Sequence, residues 1–417
     1  MKKENITVIG IGRVGLPLSL IFAEYGYKVF GIGRSPDKIE KLNRGEMIFM
    51  EKGMDLLLKK NIGKNFFPTT DYSVVKNSKY IILTLGTPVD ENMNPVYDQI
   101  DHALESLIPY IISGQTLILR STVAPKTTEY VATVITDKKG FKVGKDFYVS
   151  FCPERIAEGK SLEEMTTIPQ IIGGVDKESS FKSKELFQSL GVPCFITDSV
   201  SAELTKLFTN MYRYINFAIA NEFMILADNY NRNIHSIVDL VNRDYKRGGL
   251  SLPGITAGPC LFKDGFFLIS DFPFNDLIST SWKINETTPL FLLKKVRERM
   301  SLKGKKVVIL GLSFKPEIDD IRESLSFKLR KSLLRDMAKV ILEDPYVKDY
   351  SRQRVFNDTY EAVKGADLLI FATNHRKYSK LDIQKVKKAA DKDCLVCDIW
   401  NIFHQNNLIF PLNQIAS

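Results

Sequence analysis

The sequence predicts an α/β protein of two doubly wound, Rossmann-like domains joined by a long central helix and a helical middle domain. Three observations support this fold class. The chain starts with a strand, a glycine-rich turn and a helix, a similar strand begins near residue 307, and a long helical pattern lies between them. With 417 residues, the chain is too long for one ordinary core. The predicted domains are 1–197, 198–300 and 301–417.

The first domain is predicted from alternating apolar strands and helices. A strand at 5–10 leads into the glycine-rich turn, a helix at 16–25 and a strand at 28–33. Further strands are predicted at 80–85, 116–119, 147–150, 170–173 and 193–196, with helices at 99–111 and 128–135 among them. This alternation predicts a parallel sheet with helices on both faces.

The middle and last domains are predicted from the same kinds of sequence pattern. Asp198 or Ser199 is expected to cap a helix that runs to about residue 230. Apolar residues surround that helix, so we expect it to be buried between domains or subunits. Further helices are predicted at 231–242, directly after Cys260 and from about 289 to 300, with a Gly- and Pro-rich loop at 244–259. Strands of the last domain are predicted at 307–310, 339–343, 367–372 and 395–399.

Composition narrows the class of protein. The net charge of +9, from 58 basic and 49 acidic residues, favours anionic small molecules. Nucleic acid is not expected as a partner, because no basic run is interleaved with aromatic residues. No apolar run reaches the about 18 residues that span a bilayer, so membrane insertion is not expected. The N-terminal apolar run is interrupted by glycines and favours a strand over a signal peptide.

The five cysteines indicate a reducing compartment and a cytoplasmic location. They are scattered in sequence, which argues against a disulfide framework. Cys394 and Cys397 form a CxxC pair without a second pair to complete a zinc site, and we expect them inside a buried strand. No metal site is therefore predicted.

The first glycine-rich turn has the pattern of a dinucleotide site. Gly10, Gly12 and Gly15 follow a strand and open a helix. In such a turn the first glycine allows the sharp bend, the second admits the diphosphate and the third lets helix and strand pack closely. The helix N-terminus then faces the phosphates. The alternative is a tight turn without a ligand.

Cofactor choice depends on the end of the second strand. An acidic residue there usually binds the ribose hydroxyls, but this chain has Gly33 followed by Arg34. Loss of the carboxylate together with a new arginine is the pattern that admits a 2′-phosphate. The alternative is that Arg34 stacks on the adenine. NAD is the expected cofactor, with NADP as the alternative.

The candidate catalytic groups are a thiol and two side chains that could stabilise an oxyanion. Cys260 lies in a Gly/Pro-rich turn, followed by a lysine and then Asp264, a setting in which a thiol can become a nucleophile. A buried, inert thiol is the alternative. Lys206 and Asn210 are four residues apart on the long helix and can stabilise a developing oxyanion, although each has an ordinary structural explanation.

Together these segments resemble the UDP-glucose/GDP-mannose dehydrogenase family over almost the whole chain. The matching segments are residues 10–17, 42–45, 87–88, 121–123, 127–128, 153–155, 203–210, 260–264, 314–316, 319–324 and 344–345. The resemblance implies a nucleotide-sugar 6-dehydrogenase that oxidises the C6 alcohol of a UDP-sugar to the uronic acid in two NAD-dependent steps. The implied sugar is glucose or an N-acetylhexosamine, and the implied pathway is polysaccharide biosynthesis.

The resemblance also implies roles for individual residues. Cys260 would form a thiohemiacetal and then a thioester, and Asp264 with Thr122 would act on the hydrolytic water. The implied catalytic residues are Cys260, Lys206, Asn210, Asp264, Thr122 and Glu154, the last assisting in acid/base chemistry. The implied cofactor-binding residues are Gly10, Gly12, Arg13, Val14, Gly15, Arg34, Thr87, Pro88 and Thr122. The implied substrate-binding residues are Glu154, Arg155, Glu158, Lys206, Asn210, Arg247, Gly258, Lys315 and Arg322.

The resemblance implies a homodimer and leaves the sugar open. Arg247 matches an arginine that reaches the sugar of the partner subunit, with the long helix at the dimer core. Lys263 resembles the glucose and mannose enzymes, whereas the Pro253-Gly254 pair resembles the N-acetyl-sugar branch. The alternatives are a GDP-mannose 6-dehydrogenase, a catalytically inactive nucleotide-sugar-binding relative, and a two-electron hydroxyacid dehydrogenase on the same N-terminal fold.

Overall fold

The computed structural model describes residues 3–255, 258–269 and 276–416. The chain divides into two compact units, Met1–Thr209 with Phe266–Pro273 and Asn210–Gly265 with Phe274–Ser417. Each unit contains a mostly parallel sheet and helices, which confirms the predicted fold class. The three predicted domain ranges stay a prediction.

The first unit is built on an eight-stranded sheet. Its strands are β1 (Ile6–Ile9), β2 (Val29–Ile32), β3 (Phe66–Thr69), β4 (Tyr80–Leu83), β5 (Thr116–Leu119), β6 (Tyr148–Phe151), β7 (Gln170–Gly174) and β8 (Cys194–Asp198). The strand order is β3-β2-β1-β4-β5-β6-β7-β8, and β6 and β7 pair antiparallel, unlike the predicted parallel sheet. From β1 the chain first adds β2 and β3 on one side and then β4 and β5 on the other, so a switch point lies between β1 and β4. Ligands bind at the carboxyl ends of strands at such a switch point.

Helices cover this sheet. They are α1 (Gly15–Glu24), α2 (Pro36–Asn43), α3 (Met54–Asn61), α4 (Asp98–Leu107), α5 (Thr127–Lys139), α6 (Ser161–Glu164), α7 (Lys177–Gln188) and α8 (Ser199–Asn229). The 31-residue α8 starts in the first unit and ends in the second. Asp198 Oδ1 accepts a hydrogen bond from the Ser201 N–H at 2.8 Å, so the expected cap is confirmed.

Both faces of the first sheet are buried. Successive strand residues point to opposite faces, so Tyr80 and Ile82 join one apolar core while Ile81 and Leu83 join another. Because helices cover both faces, the central strands β1, β4 and β5 are buried at every position rather than on one face only. The central strands are therefore rigid supports for the loops at their carboxyl ends.

The second unit repeats this arrangement on a seven-stranded sheet. The remaining helices are α9 (Ile234–Asn242), α10 (Leu261–Asp264), α11 (Phe266–Ile269, in the first unit), α12 (Asp276–Arg297), α13 (Ser326–Arg335), α14 (Thr359–Ala362) and α15 (Ile383–Ala389). The strands are β9 (Lys306–Leu310), β10 (Lys339–Glu343), β11 (Asp349–Tyr350), β12 (Gln353–Phe356), β13 (Leu368–Phe371), β14 (Leu395–Asp398) and β15 (Ile409–Pro411). Their order is β11-β12-β10-β9-β13-β14-β15, with a switch point between β9 and β13. Short 3-10 helices lie at Tyr72–Asn77, Ile108–Tyr110, Tyr378–Lys380 and Leu412–Gln414.

Helix α12 corrects one prediction. The helix expected to begin at Pro289 begins at Asp276 and contains Pro289 in its interior, where the ring is buried. Proline is favoured in the first turn of a helix and costs a backbone hydrogen bond inside it. Here the surrounding turns continue across it.

Two other expectations concern burial. Cys397 is buried inside β14, as expected, and Cys394 is buried directly before that strand. Among the helices of the described residues, none is both long and apolar enough to cross a membrane.

Candidate functional site

The turn between β1 and α1 fits a dinucleotide diphosphate. Gly10 has φ +98°, and a Cβ atom there would lie 2.6 Å from the Thr84 carbonyl oxygen. A Cβ atom at Gly15 would lie 2.3 Å from Thr84 Oγ1. At Gly12, by contrast, no described atom lies within 4 Å of the Cβ position, so the space in front of α1 is open. The turn thus packs tightly against Thr84 at Gly10 and Gly15. It leaves an open cradle at Gly12, where the N-terminus of α1 attracts phosphate.

The next residues of this turn connect it to the predicted sugar site. Arg13 forms an ion pair with Glu158, and its guanidinium carbon lies 5.0 Å from the centre of the Phe49 ring. Val14 is exposed at the start of α1. The structure therefore joins a predicted cofactor-binding residue directly to a predicted substrate-binding residue.

At the end of β2 the position that lacks the acid is closely packed. A Cβ atom at Gly33 would lie 3.1 Å from both Ile11 Cγ1 and Ile39 Cδ1, so a side chain there would require these apolar neighbours to shift by a few tenths of an ångström. Arg34 is exposed. Burial raises the pKa of the Tyr72 hydroxyl, and the charge of Arg34 acts in the opposite direction, so the two side chains face the same region.

The loops after β4 and β5 are linked by predicted site residues. Thr87 Oγ1 donates a hydrogen bond to the Thr122 carbonyl oxygen at 2.5 Å, and both side chains are buried. Pro88 follows Thr87 and is half-buried. These loops lie at the switch point of the first sheet.

A buried acid that the sequence reading did not assign holds the loop after β5. The carboxylate of Glu203 on α8 accepts hydrogen bonds from the Lys126 N–H at 2.7 Å and the Thr128 N–H at 2.8 Å. Burial raises the pKa of Glu203, and its hydrogen bonds from Thr128 and Lys126 offset part of that rise. The residue thereby supports the segment that carries Thr122. Its signal in the sequence is an acid among the apolar residues at the start of the long helix.

Glu154 forms its ion pair with a residue that was not predicted to belong to the site. Its carboxylate contacts the guanidinium of Arg120 at 2.9 Å. Arg120 directly follows β5 and is only 1% exposed, a position the sequence reading passed over. The next residue, Arg155, is half-buried and donates a hydrogen bond to the Pro169 carbonyl oxygen. Burial lowers the pKa of Arg155, with Glu154 acting in the opposite direction.

Helix α8 carries the predicted oxyanion pair. Lys206, half-buried, lies on the first-unit part of the helix, and Asn210, buried, lies on the second-unit part. Because the helix is continuous between them, the spacing of four residues puts both on one face, as predicted.

The thiol segment brings several predicted residues together in the second unit. Asn210 Nδ2 donates to Asp264 Oδ2 at 2.6 Å, and Lys263 Nζ donates to Asp264 Oδ1 at 2.9 Å. Asp264 is 0% exposed. Cys260 is exposed directly before α10, and its carbonyl oxygen accepts the Asp264 N–H at 3.0 Å. One short helical turn thus carries an accessible thiol at its start. At its end it carries a buried carboxylate whose two oxygens both accept hydrogen bonds.

The turn before the thiol requires glycine at position 258. Gly258 has φ +113°, and a Cβ atom there would lie 2.6 Å from the Phe314 ring. Its N–H also points to the Glu323 carbonyl oxygen at 3.3 Å. Thr256 and Ala257 of the same turn lie outside the described residues. The thiol turn therefore rests on the loop that follows β9.

That loop carries the predicted nucleotide-sugar residues of the last domain. Lys315 is half-buried directly after Phe314, and Arg322 forms an ion pair with Asp320 at 2.6 Å. Asp344, at the end of β10, accepts the Leu312 N–H at 2.7 Å and contacts the His375 ring at 3.3 Å. Burial acts to raise the pKa of Asp344, but the hydrogen bonds from His375 and the backbone outweigh it, and the pKa is lowered. The Asp344 carboxylate thus stabilises the loop that follows β9.

Arg247 lies at an apolar groove beside α8 and α9. The groove has a volume of about 560 Å³ and is lined by Ile219, Phe223, Leu226, Ile237, Val241 and Arg247. The Arg247 guanidinium carbon lies 5.3 Å from the centre of the Tyr245 ring. Phe223 and Leu226 are exposed, so in the second unit the long helix presents an uncovered apolar face.

Comparison with known proteins places these features in a family. Models of the UDP-glucose/GDP-mannose dehydrogenase family match the chain in three parts: the NAD binding domain at residues 4–191, the central domain at 200–287 and the UDP binding domain at 308–405. A UDP-N-acetyl-D-mannosamine dehydrogenase of Pyrococcus horikoshii is 32% identical over 99% of this chain and 99% of its own length. A protein of the same description from Methanocaldococcus jannaschii is 29% identical over 96% of this chain and 93% of its own.

Solved structures are similar in the same way. The UDP-D-ManNAc dehydrogenase of Pyrococcus horikoshii has a TM-score of 0.87 at 30% identity and covers 93% of both chains. The UDP-N-acetyl-mannosamine dehydrogenase of Staphylococcus aureus has a TM-score of 0.86 at 30% identity and covers 95% of both chains.

Proposed function

Because the chain belongs to the UDP-glucose/GDP-mannose dehydrogenase family, we propose that it oxidises the C6 alcohol of a UDP-sugar to the carboxylate in two NAD-dependent steps. The observation that carries this proposal is the thiol segment, in which an exposed Cys260 stands one helical turn from the Asn210–Asp264–Lys263 cluster. A two-electron dehydrogenase needs no such thiol.

The proposed sugar is an N-acetylhexosamine. The relatives that match over nearly their full length are described as UDP-N-acetyl-D-mannosamine dehydrogenases. The Pro253-Gly254 pair before the thiol points the same way, and Lys263 keeps UDP-glucose as the alternative. GDP-mannose is a further alternative, and it is disfavoured by the match to a UDP binding domain.

The cofactor is proposed to lie on the open cradle at Gly12, with its diphosphate at the N-terminus of α1. When bound, the nicotinamide supplies the hydride acceptor for each of the two oxidations. We also propose that the enzyme accepts NADP, because Gly33 leaves no carboxylate to repel a 2′-phosphate and the exposed Arg34 offers a cation for it.

Thiol addition is the first step assigned to this chain's own residues. The Cys260 thiolate adds to the C6 aldehyde, a carbon–sulfur bond forms, and the carbonyl π electrons move to oxygen to give a thiohemiacetal. Lys206 and Asn210 are proposed to stabilise that oxygen, since a cation and an amide on one helix face suit a developing negative charge. Oxidation of this adduct gives a thioester.

Hydrolysis of the thioester completes the reaction. Water adds to the thioester carbonyl, the carbon–sulfur bond breaks, and the thiolate is regenerated. Asp264 with Thr122 is proposed to position or deprotonate this water. The bonds from Asn210 and Lys263 hold both carboxylate oxygens of Asp264, which supports a fixed orientation for that role.

The remaining substrate contacts follow the family match. Lys315 and Arg322 are proposed to bind the nucleotide diphosphate through charge-assisted hydrogen bonds. Gly258 is proposed to let the substrate approach the backbone of the thiol turn, and Glu154, Arg155 and Glu158 are proposed to serve the sugar. We also propose a role in polysaccharide biosynthesis and a cytoplasmic location, where reducing conditions keep Cys260 as a thiol.

A homodimer is proposed to complete the site. The apolar face of α8 and α9, with the groove beside Arg247, supports a second copy as its occupant, because large exposed apolar patches mark protein interfaces. Arg247 would then reach the partner's sugar. Mixing Cys260→Ala and Arg247→Ala subunits tests this: random exchange should restore about a quarter of wild-type activity, since half the dimers contain one intact site. No restoration would contradict a shared site.

A panel of UDP- and GDP-sugars with NAD tests the activity itself. We expect NADH formation and uronic acid with a UDP-sugar, and loss of acid formation in Cys260→Ala. Tight binding of a nucleotide sugar by the wild-type protein without any NADH would favour the inactive, nucleotide-sugar-binding alternative. Normal acid formation by Cys260→Ala would refute the thioester route.

A further inference from the structure

Arg120 is a charged side chain enclosed in the first unit. It is 1% exposed, and its Nη1 donates to the Cys152 carbonyl oxygen at 3.2 Å and to Gln170 Oε1 at 3.1 Å. Its guanidinium carbon lies 4.9 Å from the centre of the Phe187 ring. Both Nε and Nη2 contact Glu154 Oε2 at 2.9 Å. A buried guanidinium stays protonated and needs a counter-charge, which Glu154 provides.

Both carboxylate oxygens of Glu154 and its backbone N–H take part in polar contacts. Its Oε2 takes the two contacts from Arg120, and its Oε1 accepts the Ile156 N–H at 2.9 Å. Its own N–H donates to the Arg120 carbonyl oxygen at 3.2 Å. With 8% of the residue exposed, the carboxylate has little freedom to rotate. These contacts leave part of the acceptor capacity of Oε1 for a further donor.

We propose that Arg120 is a positioning residue that keeps Glu154 an oriented anion, so that Glu154 serves the sugar as a hydrogen-bond acceptor and not as an acid. This inference rests on the proposed function and narrows the acid/base role expected from the resemblance. Arg120 also stands two residues before Thr122. The contacts of the pair therefore join the end of β5, from which the Thr122 segment departs, to the segment after β6.

The surroundings of the pair allow a clean pH test. Among the described residues, Arg155 interacts electrostatically with both members of the pair, and Cys152 interacts with Arg120. Burial raises the pKa of Cys152 to about 12, and the nearby Arg120 charge acts in the opposite direction. Arginine stays charged throughout the working range. A carboxylate that loses its buried cation instead takes up a proton more readily.

The experiment compares the pH dependence of kcat/KM for the wild type, Arg120→Gln and Arg120→Lys. We expect Arg120→Gln to gain an acid limb, with about a tenfold loss of activity at the low-pH end that raising the pH restores. Arg120→Lys, which retains a cation, should keep the wild-type profile at a reduced kcat. The double variant Arg120→Gln/Glu154→Gln should lose the new limb. A uniform fall in Arg120→Gln at every pH, as a structural defect would give, would overturn the proposal.

A second variant keeps the test decisive if Arg120→Gln does not fold. Arg120→Met/Glu154→Gln removes both charges together, a change that buried ion pairs tolerate far better than the loss of one partner. Because glutamine retains an acceptor oxygen, the kcat of this variant should exceed that of the matched Arg120→Met/Glu154→Ala variant by about tenfold. Equal activity of the two would overturn the acceptor role. A wild-type protein inactive on every UDP-sugar would instead reject the proposed function, so the two failures are distinguishable.

Discussion

Replacing Asn210 by alanine removes one of the two side-chain bonds that hold Asp264. Asn210 Nδ2 lies 2.6 Å from Asp264 Oδ2, and the carboxylate is fully buried. Hydrogen bonds to charged groups contribute about 1.5–3 kcal/mol. If this interaction is needed in the transition state, its loss corresponds to a fall in kcat of about tenfold to a hundredfold. Asn65→Ala is the matched control, since that amide lies outside the predicted site and donates to the Ala23 carbonyl oxygen at 3.1 Å.

The assay is a double-mutant cycle on kcat. Asn210→Ala, Asp264→Ala and the double variant are compared by NADH formation under saturating substrate and cofactor. Because the two side chains share one hydrogen bond, we expect a coupling energy of about 1.5 kcal/mol or more. Effects that add within about 0.5 kcal/mol would refute the reasoning. A control variant as slow as Asn210→Ala would refute it as well.

Three further changes test other parts of the structure. Arg34→Ala should lower kcat/KM for NADP about tenfold while leaving kcat/KM for NAD nearly unchanged, and equal losses would contradict a 2′-phosphate contact. Phe223→Glu should convert the proposed dimer to a monomer in light scattering, whereas Leu56→Glu, at an exposed site on α3, should not. Burial raises the pKa of Asp398 to about 6, above its unfolded value of about 3.9. The folded state then binds more protons at this group, so Asp398 contributes up to about 3 kcal/mol of stability at low pH that is lost as pH rises from about 4 to 6. Urea unfolding of Asp398→Asn should lack that loss, and an equal pH slope would contradict it.

The parts of the fold with strong local signals were predictable from the sequence. Gly10 and Gly15 are required by close contacts with the β4 end, and their spacing alone indicated the turn. Asp198 caps α8 where an acid before a long apolar helix predicted a cap. The strand Thr116–Leu119 is buried at every position and was located to the residue.

Other features depend on tertiary contacts that a local pattern does not carry. Strand β3 contains Pro68, a residue rare in strands, and it was missed. The start of α12 was misplaced because proline usually marks a first turn. Arg120 looks like an ordinary surface charge in the sequence, and Glu203 gives only the signal of an acid among apolar residues, whereas the packing around them shows that both are buried.

The ratio of NADH formed to UDP-sugar consumed tests the central claim most directly. A thiol route through a thioester transfers two hydrides, so the wild type should form two NADH for each sugar that becomes a uronic acid. The same measurement on Cys260→Ala should show no acid. One NADH per sugar, with an aldehyde as the wild-type product, would contradict the account.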